Sequence, residues 1–201
     1  MSLFKKIFGN KQKDDAQEAT GERGRYMPDL NLPVDEKFTI NFKKNGGKFL
    51  YCDSIAEVEE SFQNILDENS WTGHNVCCLD ENLKQKFESF EVTFSKNCQQ
   101  ATFLITLCEN LVADDGSILI SSNQIGEKKL KDLPDNFIVY ATTSQMVNTI
   151  GEGLRGIKSK NQNQIPTNIT TIKHFDIKEE KDFLSYGSSS KNLYLLLLED
   201  L

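Results

Sequence analysis

The sequence predicts an α/β domain built on an open, largely parallel sheet flanked by helices. Two observations carry this. Short apolar runs of strand length alternate with amphipathic segments of helical period, the pattern of successive strand-to-helix steps. The run Leu193 to Leu198 is apolar without alternation, which suits a central strand covered on both faces. At 201 residues the chain has length for one domain with a full core and an additional arm.

Residues 1–34 read as a polar, flexible arm, because KQKDDAQEATGERGR followed by Pro28 and Pro33 has too few apolar residues to pack. The arm opens on MSLFKKIFGN, where Leu3, Phe4, Ile7 and Phe8 fall at helical spacing. So short an amphipathic piece touches a lipid surface or a partner only weakly, and a frayed start is the plain reading. The folded domain is expected over residues 35–201. A first helix-like segment closes at Gly46-Gly47, and Lys48 to Cys52 follows as a strand. Ser54 and Glu57 then form a capping box for a helix whose Ile55, Val58, Phe62, Ile65 and Leu66 share one face. His74 to Leu79 repeats the strand, Asp80 caps a helix from Glu81 to Glu88, and Phe90 to Phe94 is a further apolar run. Strands are also predicted at Leu111 to Ala113, Ser117 to Ile120, Phe137 to Ala141, Ile169 to Ile172 and Leu193 to Leu198. Helices are predicted at Gly126 to Leu133 and Ser144 to Ile157.

Composition narrows the function classes. A net charge of −7 argues against nucleic acid, which needs a dense cationic surface to displace counterions. No apolar run approaches the roughly 18–20 residues of a membrane-spanning helix, so no integral membrane association is expected. The N-terminal residues lack the long apolar stretch of an export signal, and a cytoplasmic location is expected. The five cysteines, Cys52, Cys77, Cys78, Cys98 and Cys108, therefore read as reduced thiols in the core. They form no C-x-x-C pair, and the adjacent Cys77 and Cys78 point to opposite faces of a strand; no metal site and no cofactor are predicted.

Ligands of open α/β sheets bind beyond the carboxyl ends of the strands, so polar segments next to strands are the candidates. In Asp114-Asp115-Gly116-Ser117 the carboxylates suit substrate hydroxyls or a cation, although Asp-Gly is equally a hairpin turn. Ser121-Ser122-Asn123-Gln124 offers hydroxyls and amides, or is an exposed loop. Thr142-Thr143-Ser144-Gln145 stands at a strand-to-helix junction where free N–H groups favour an anion, or serves as a simple cap. Tyr186-Gly187-Ser188-Ser189-Ser190-Lys191 is a Gly/Ser turn with one lysine, suited to a phosphate or carboxylate but without the spacing of a P-loop.

Gly151-Glu152-Gly153-Leu154-Arg155-Gly156 matches G-x-G-x-x-G, with Asp176 near the offset of a ribose-binding acid. Its context is wrong for a dinucleotide, because the apolar stripe Met146, Val147, Ile150 and Leu154 runs into it as a helix instead of a strand. No G-x-S-x-G elbow occurs. His174, at the end of the strand-like ITTIKHF, is a better acid–base candidate than His74, with an exposed strand-end histidine as the plain alternative.

Taken in order, LCENLVADDGSILIS, LPDNFIVYATTSQMVNTIGEGL and SYGSSSKNLYLLLLED resemble the LUD domain of lactate-utilisation proteins of the B and C types. The resemblance spans Asp35 to Leu201 and is strongest from Thr106 onward. It implies a Rossmann-like fold similar to the CoA-transferase and sugar-phosphate-isomerase group. The family's acidic-Thr-Gly-Thr turn is matched by Asp114-Asp115-Gly116-Ser117, its upstream Thr by Thr106, and its last Gly-containing turn by Gly187. The family's Ser-Gly-Pro-Ser segment is replaced by ITTIKHFDIKEE, and its His-Gly-Pro turn by Tyr186-Gly187-Ser188. The cysteine-rich iron–sulfur modules of the B type are absent from the sequence, so the chain looks like a diverged C-type accessory protein.

Two functions follow from the resemblance and the candidate residues. The first is a non-redox accessory or ligand-binding subunit in the use of lactate or other 2-hydroxy acids, working with iron–sulfur lactate-utilisation proteins. The second is a stand-alone enzyme on a small carboxylate, acyl-CoA or phosphosugar. There Asp114 and Asp115 would be general base or nucleophile, with Thr106, Gly116, Ser117, Thr143, Ser144, Gly187, Ser188 and Lys191 about the ligand.

Overall fold

The structure is a computed structural model that describes residues 32–175 and 190–200. Residues 1–31 of the expected arm, Asp176, and Tyr186 to Ser189 with Gly187 and Ser188 lie outside the described residues.

The chain enters through helix α1 (Val34–Lys44), with Pro33 at its N-cap, acids in its first turn and lysines in its last, as the helix dipole favours. It stops where Gly46, at φ 86°, lets the backbone turn back so that Gly47 N donates to Phe42 O. Strand β1 (Lys48–Cys52) leads to α2 (Ile55–Asn69), where half of the expected capping box forms: Ser54 Oγ accepts from Glu57 N, while Glu57 Oε2 accepts from Asp53 N instead of Ser54 N. Then come β2 (Asn75–Cys77), α3 (Glu81–Phe87) capped by Asp80, β3 (Thr93–Ser95) and β4 (Phe103–Thr106). Strands β5 (Asn110–Val112) and β6 (Ser117–Ile120) form a hairpin, followed by the single turn α4 (Ser122–Ile125). After these stand β7 (Asn136–Thr142), β8 (Met146–Val147), α5 (Ile150–Lys160), β9 (Thr170–Ile172) and β10 (Asn192–Leu198).

Six strands form the main sheet in the order β1-β10-β7-β4-β2-β3, and every pairing in it is parallel. The apolar run Leu193 to Leu198 is an inner strand, as its composition predicts, with β1 and β7 as neighbours. Its side chains divide with period two. Leu193, Leu195 and Leu197 join one buried layer with Phe38 and Phe42 of α1; Tyr194 and Leu196 join the other with Val58, Phe62 and Leu66 of α2. The chain order reverses between β2 and β4, since β2 leads to β3 on one side and β4 to β7 on the other.

The structure corrects several expectations. One face of the main sheet carries α2 and α3, but the other shares its core with a second, four-stranded sheet, β8-β5-β6-β9. Strand β4 was not expected, because the apolar run around Phe103 carries no period to mark it. The helix expected over Gly126 to Leu133 is only a 3-10 turn, Leu130–Asp132. The one expected over Ser144 to Ile157 is a 3-10 turn (Thr143–Gln145), then β8, then α5. Met146 and Val147, both half-buried, therefore pair with Leu111 and Val112. The cysteines are also not all reduced. Cys77 at the end of β2 and Cys98 in the turn before β4 form a disulfide with Cα atoms 4.9 Å apart, while Cys52, Cys78 and Cys108 are free and buried. Parallel strands bring Cys98 beside Cys77 across 21 residues, a proximity that cysteine spacing alone does not reveal. Cys77 and Cys78 do face opposite layers, as strand alternation requires.

Candidate functional site

The carboxyl edge of the main sheet is where the fold places loops able to meet a ligand. There β7 leaves through Thr142-Thr143-Ser144-Gln145 and its parallel neighbour β10 leaves through Glu199 and Asp200. The Asp200 carboxylate is clasped by the β7 loop: Thr143 Oγ1 and Ser144 N each donate to Oδ1 at 2.9 Å, and Ser144 Oγ donates to Oδ2 at 2.7 Å. Some loss of solvation pushes the pKa of this exposed group up, but these hydrogen bonds to the charged form prevail and hold it at about 2. Thr143 and Ser144 are thus placed to grip a carboxylate, and in this structure the carboxylate is the chain's own.

A second carboxylate is held the same way one strand over. Glu109, just beyond β4, accepts at Oε1 from Ser121 Oγ at 2.6 Å, Asn123 Nδ2 at 3.0 Å and Gln124 Nε2 at 3.1 Å. Gln145 ties the two loops, receiving Thr142 N at its Oε1 and donating through Nε2 to Cys108 O at 2.7 Å. Thr106 is buried at the end of β4 with its hydroxyl on Leu107 O.

The remaining candidates lie elsewhere. Asp114 to Ser117 is the β5–β6 hairpin turn, backed onto α1. Lys37 Nζ reaches Asp114 Oδ1 at 2.5 Å, and Asp115 Oδ1 accepts from Ser117 N and Oγ. Asn41 and Asn45 donate to the turn's carbonyls, and Lys173 stands 3.6 Å from Asp115. Gly116 has φ 68°, and a Cβ there would fall 2.4 Å from the backbone of Asn41 and Phe42, so its lack of a side chain answers to packing.

Lys191 precedes β10, at the amino edge. Its buried ammonium donates to Leu133 O and Pro134 O and sits 3.3 Å from Asp135 Oδ1. Since β10 and β7 run parallel in register, the length of a seven-residue strand, roughly 20 Å, separates Lys191 from Thr143 and Ser144. Thr143 and Ser144 are brought together, whereas Asp114, Asp115 and Lys191 are not brought to them.

The G-x-G-x-x-G residues form the first turns of α5, which opens at Ile150 after the short strand β8, so the helical run expected from Met146 is absent; the three glycines lie within the helix and not in a loop ahead of its N-terminus. Gly153 instead lets α5 approach β5 and β6, because a Cβ would meet Leu119 at 3.0 Å and Asn110 at 3.2 Å. His174 is exposed and His74 Nδ1 lies 3.1 Å from Thr102 Oγ1; neither has a serine or cysteine partner among the described residues. The free thiols are poor nucleophiles. Burial pushes Cys78 up to about 11 and raises Cys108 and Cys52 as well. Among the described residues no group of three or more His, Cys, Asp or Glu is arranged to hold a metal ion.

A family model described as the LUD domain matches residues 36–194. The chain belongs to the LUD domain family. A crystal structure of a DUF162 family protein from Deinococcus radiodurans is similar to this LUD chain, with a TM-score of 0.59 over 83% of this chain and 96% of that one. At 12% identity it speaks for the shared fold alone. No curated protein matches the chain. Among the described residues of this LUD domain no helix is long and apolar enough to cross a membrane.

Sequence reasoning picked out Thr143 and Ser144 but passed over the two acids that this LUD domain places against such loops. A signal was present for Asp200, which lies just beyond the predicted strand Leu193 to Leu198, where the strand-end rule looks for function; Glu109 follows β4, which the sequence does not mark.

Proposed function

We propose that the protein is a non-redox, ligand-binding accessory subunit in the use of lactate or a related 2-hydroxy acid, working in the cytoplasm with iron–sulfur partner proteins. The observation that supports this best is the Thr143–Ser144 clasp on the Asp200 carboxylate. Two hydroxyls and a backbone N–H converge on one carboxylate, and a hydroxy-acid carboxylate would compete with Asp200 for those donors. The family supplies the link to lactate utilisation. The stand-alone enzyme is the weaker reading. It needs Asp114, Asp115, Thr143, Ser144 and Lys191 about one ligand, whereas the aspartates face α1 and Lys191 sits at the opposite edge.

Binding is tested by thermal shift and calorimetry with lactate and a panel of small carboxylates. Lactate should stabilise the chain, more so in Asp200→Asn, and not in the Thr143→Val/Ser144→Ala double variant. No stabilisation by any carboxylate, or stabilisation untouched by the double variant, would sink the clasp as a binding site. The partner reading is tested by anaerobic affinity isolation from lactate-grown cells. Iron–sulfur lactate-utilisation proteins should co-purify, and their absence while those cells oxidise lactate would count against it.

A further inference from the structure

Five large apolar side chains are exposed among the described residues, and three of them gather at α5 and the loop after it: Ile150 (37%), Leu154 (42%) and Ile165 (48%). Ile150, Leu154 and Lys158 recur every four residues, so they line one stripe of the helix, about 12 Å long. The face that α5 turns to the protein is a different one, carried by Gly153 and Ile157. Packing of the described residues therefore does not account for the stripe.

Arg155 and Lys158 stand beside it. They are three residues apart, so their Cβ atoms are neighbours on the helix surface and both head groups can reach one anion. Neither has an acidic partner among the described residues. Glu152, the one acid of the helix, turns to its N-terminus and accepts from Asn148 N at 2.8 Å. Arg155 and Lys158 place positive charge beside exposed aliphatic side chains in a chain of net charge −7.

Arg155, Lys158, Ser159, Gln162 and Ile165 border a shallow, open depression of about 360 Å³. Its wall offers a guanidinium and an ammonium at one side, a hydroxyl and an amide beside them, and the Ile165 side chain as an apolar surface. We propose that this pocket is a second binding site, for an aliphatic acid or aliphatic phosphate. The anionic head sits between Arg155 and Lys158 and the chain lies along Ile165. Arginine's planar fork suits a two-oxygen contact with either head group. The site is separate from the strand-end clasp and does not depend on the reading given to that clasp.

Calorimetry of the full chain with octanoate and octyl phosphate tests it, with acetate and octanol as head-only and tail-only controls. Octanoate or octyl phosphate should bind at least about tenfold more tightly than either control, since head and tail each contribute. Arg155→Ala/Lys158→Ala should weaken binding by about tenfold or more, and Ile165→Ser by several-fold, with thermal midpoints unchanged because all three side chains are exposed. The Thr143→Val/Ser144→Ala variant should bind octanoate normally, so failure of the clasp and failure of this pocket give different results. Equal affinity for acetate and octanoate, or undiminished binding by the double alanine variant, overturns the proposal. Sedimentation with phosphatidylglycerol vesicles separates a free acid from a lipid surface. Arg155- and Lys158-dependent vesicle binding without binding of soluble octanoate also overturns the pocket.

Discussion

Replacing Gly116 by alanine distinguishes a glycine kept for packing from one kept for a ligand. Gly116 has a left-handed backbone, φ 68°, which alanine adopts at a cost of about 1 kcal/mol. The added Cβ would lie 2.4 Å from Asn41 C and Phe42 N, and 2.8 Å from Asn41 O. Those are backbone atoms of α1, so relief requires the helix to withdraw from the core it shares through Phe38 and Phe42, an overpacking cost of about 1–3 kcal/mol. Stiffening of the unfolded chain returns about 0.4–1 kcal/mol. The net loss is about 1–3.5 kcal/mol, a sizeable share of the usual 5–15 kcal/mol for a domain. Gly73 serves as the internal control, because its φ of 78° is comparable and nothing lies within 4 Å of its Cβ position. Gly73→Ala should lose less than about 1 kcal/mol, the backbone cost less the same return from the unfolded chain. Urea denaturation followed by circular dichroism measures both, with the slope unchanged if only native contacts are lost. Equal losses at the two sites, or a loss at Gly116 below about 0.5 kcal/mol, would refute the packing account and return Gly116 to the list of ligand contacts.

Three further outcomes are expected. The Asp200 carboxyl, held at about 2 by Ser144 and Thr143, should titrate below its ordinary range in carbon-detected NMR and rise toward it in Thr143→Val/Ser144→Ala. A depressed folded-state pKa stabilises above the unfolded value and is lost as pH falls between about 4 and 2. On this exposed group the effect should not exceed about 1 kcal/mol. Lys191→Met keeps the length of the buried chain but strands the Leu133 and Pro134 carbonyls, so it should cost about 1–3 kcal/mol. Lactate stabilisation should persist in that variant, and its loss would tie Lys191 to the ligand after all. Reduction of Cys77–Cys98, which closes a separation of 21 residues, should lower stability by about 3 kcal/mol; a non-reduced mass equal to that of five thiols would show that the bond does not form.

The parallel sheet was legible because its signal is local: Leu193 to Leu198 is apolar on both faces, and Ser54 with Glu57 announces α2 by its cap. The second sheet was not. Met146 and Val147 lie within an apolar pattern that suits a helix equally well, and only pairing with Leu111 and Val112, more than thirty positions away, makes them a strand. Propensity cannot carry that information, because strand character there comes from a distant partner. The disulfide was hidden for the same reason, with Cys77 and Cys98 made neighbours by the parallel order of β2, β3 and β4.

The candidate site follows a sharper rule, because a parallel sheet has two chemically unlike edges. Whether a polar residue precedes or follows its strand decides which edge it occupies, and nearness in sequence to an apolar run does not. Lys191 and Asp200 flank the same strand, one immediately before it and the other two residues after it. The lysine is consequently spent on the carbonyls of Leu133 and Pro134 at the amino edge, and the aspartate meets Thr143 and Ser144 at the carboxyl edge. Applied strictly, strand polarity selects Asp200 from sequence and removes Lys191 from the candidate anion site, while Glu109 follows a strand that only the structure reveals. The same reasoning makes the Asp200 carboxylate the group any incoming carboxylate must displace, which is why Asp200→Asn should strengthen lactate binding where most substitutions at a site would weaken it.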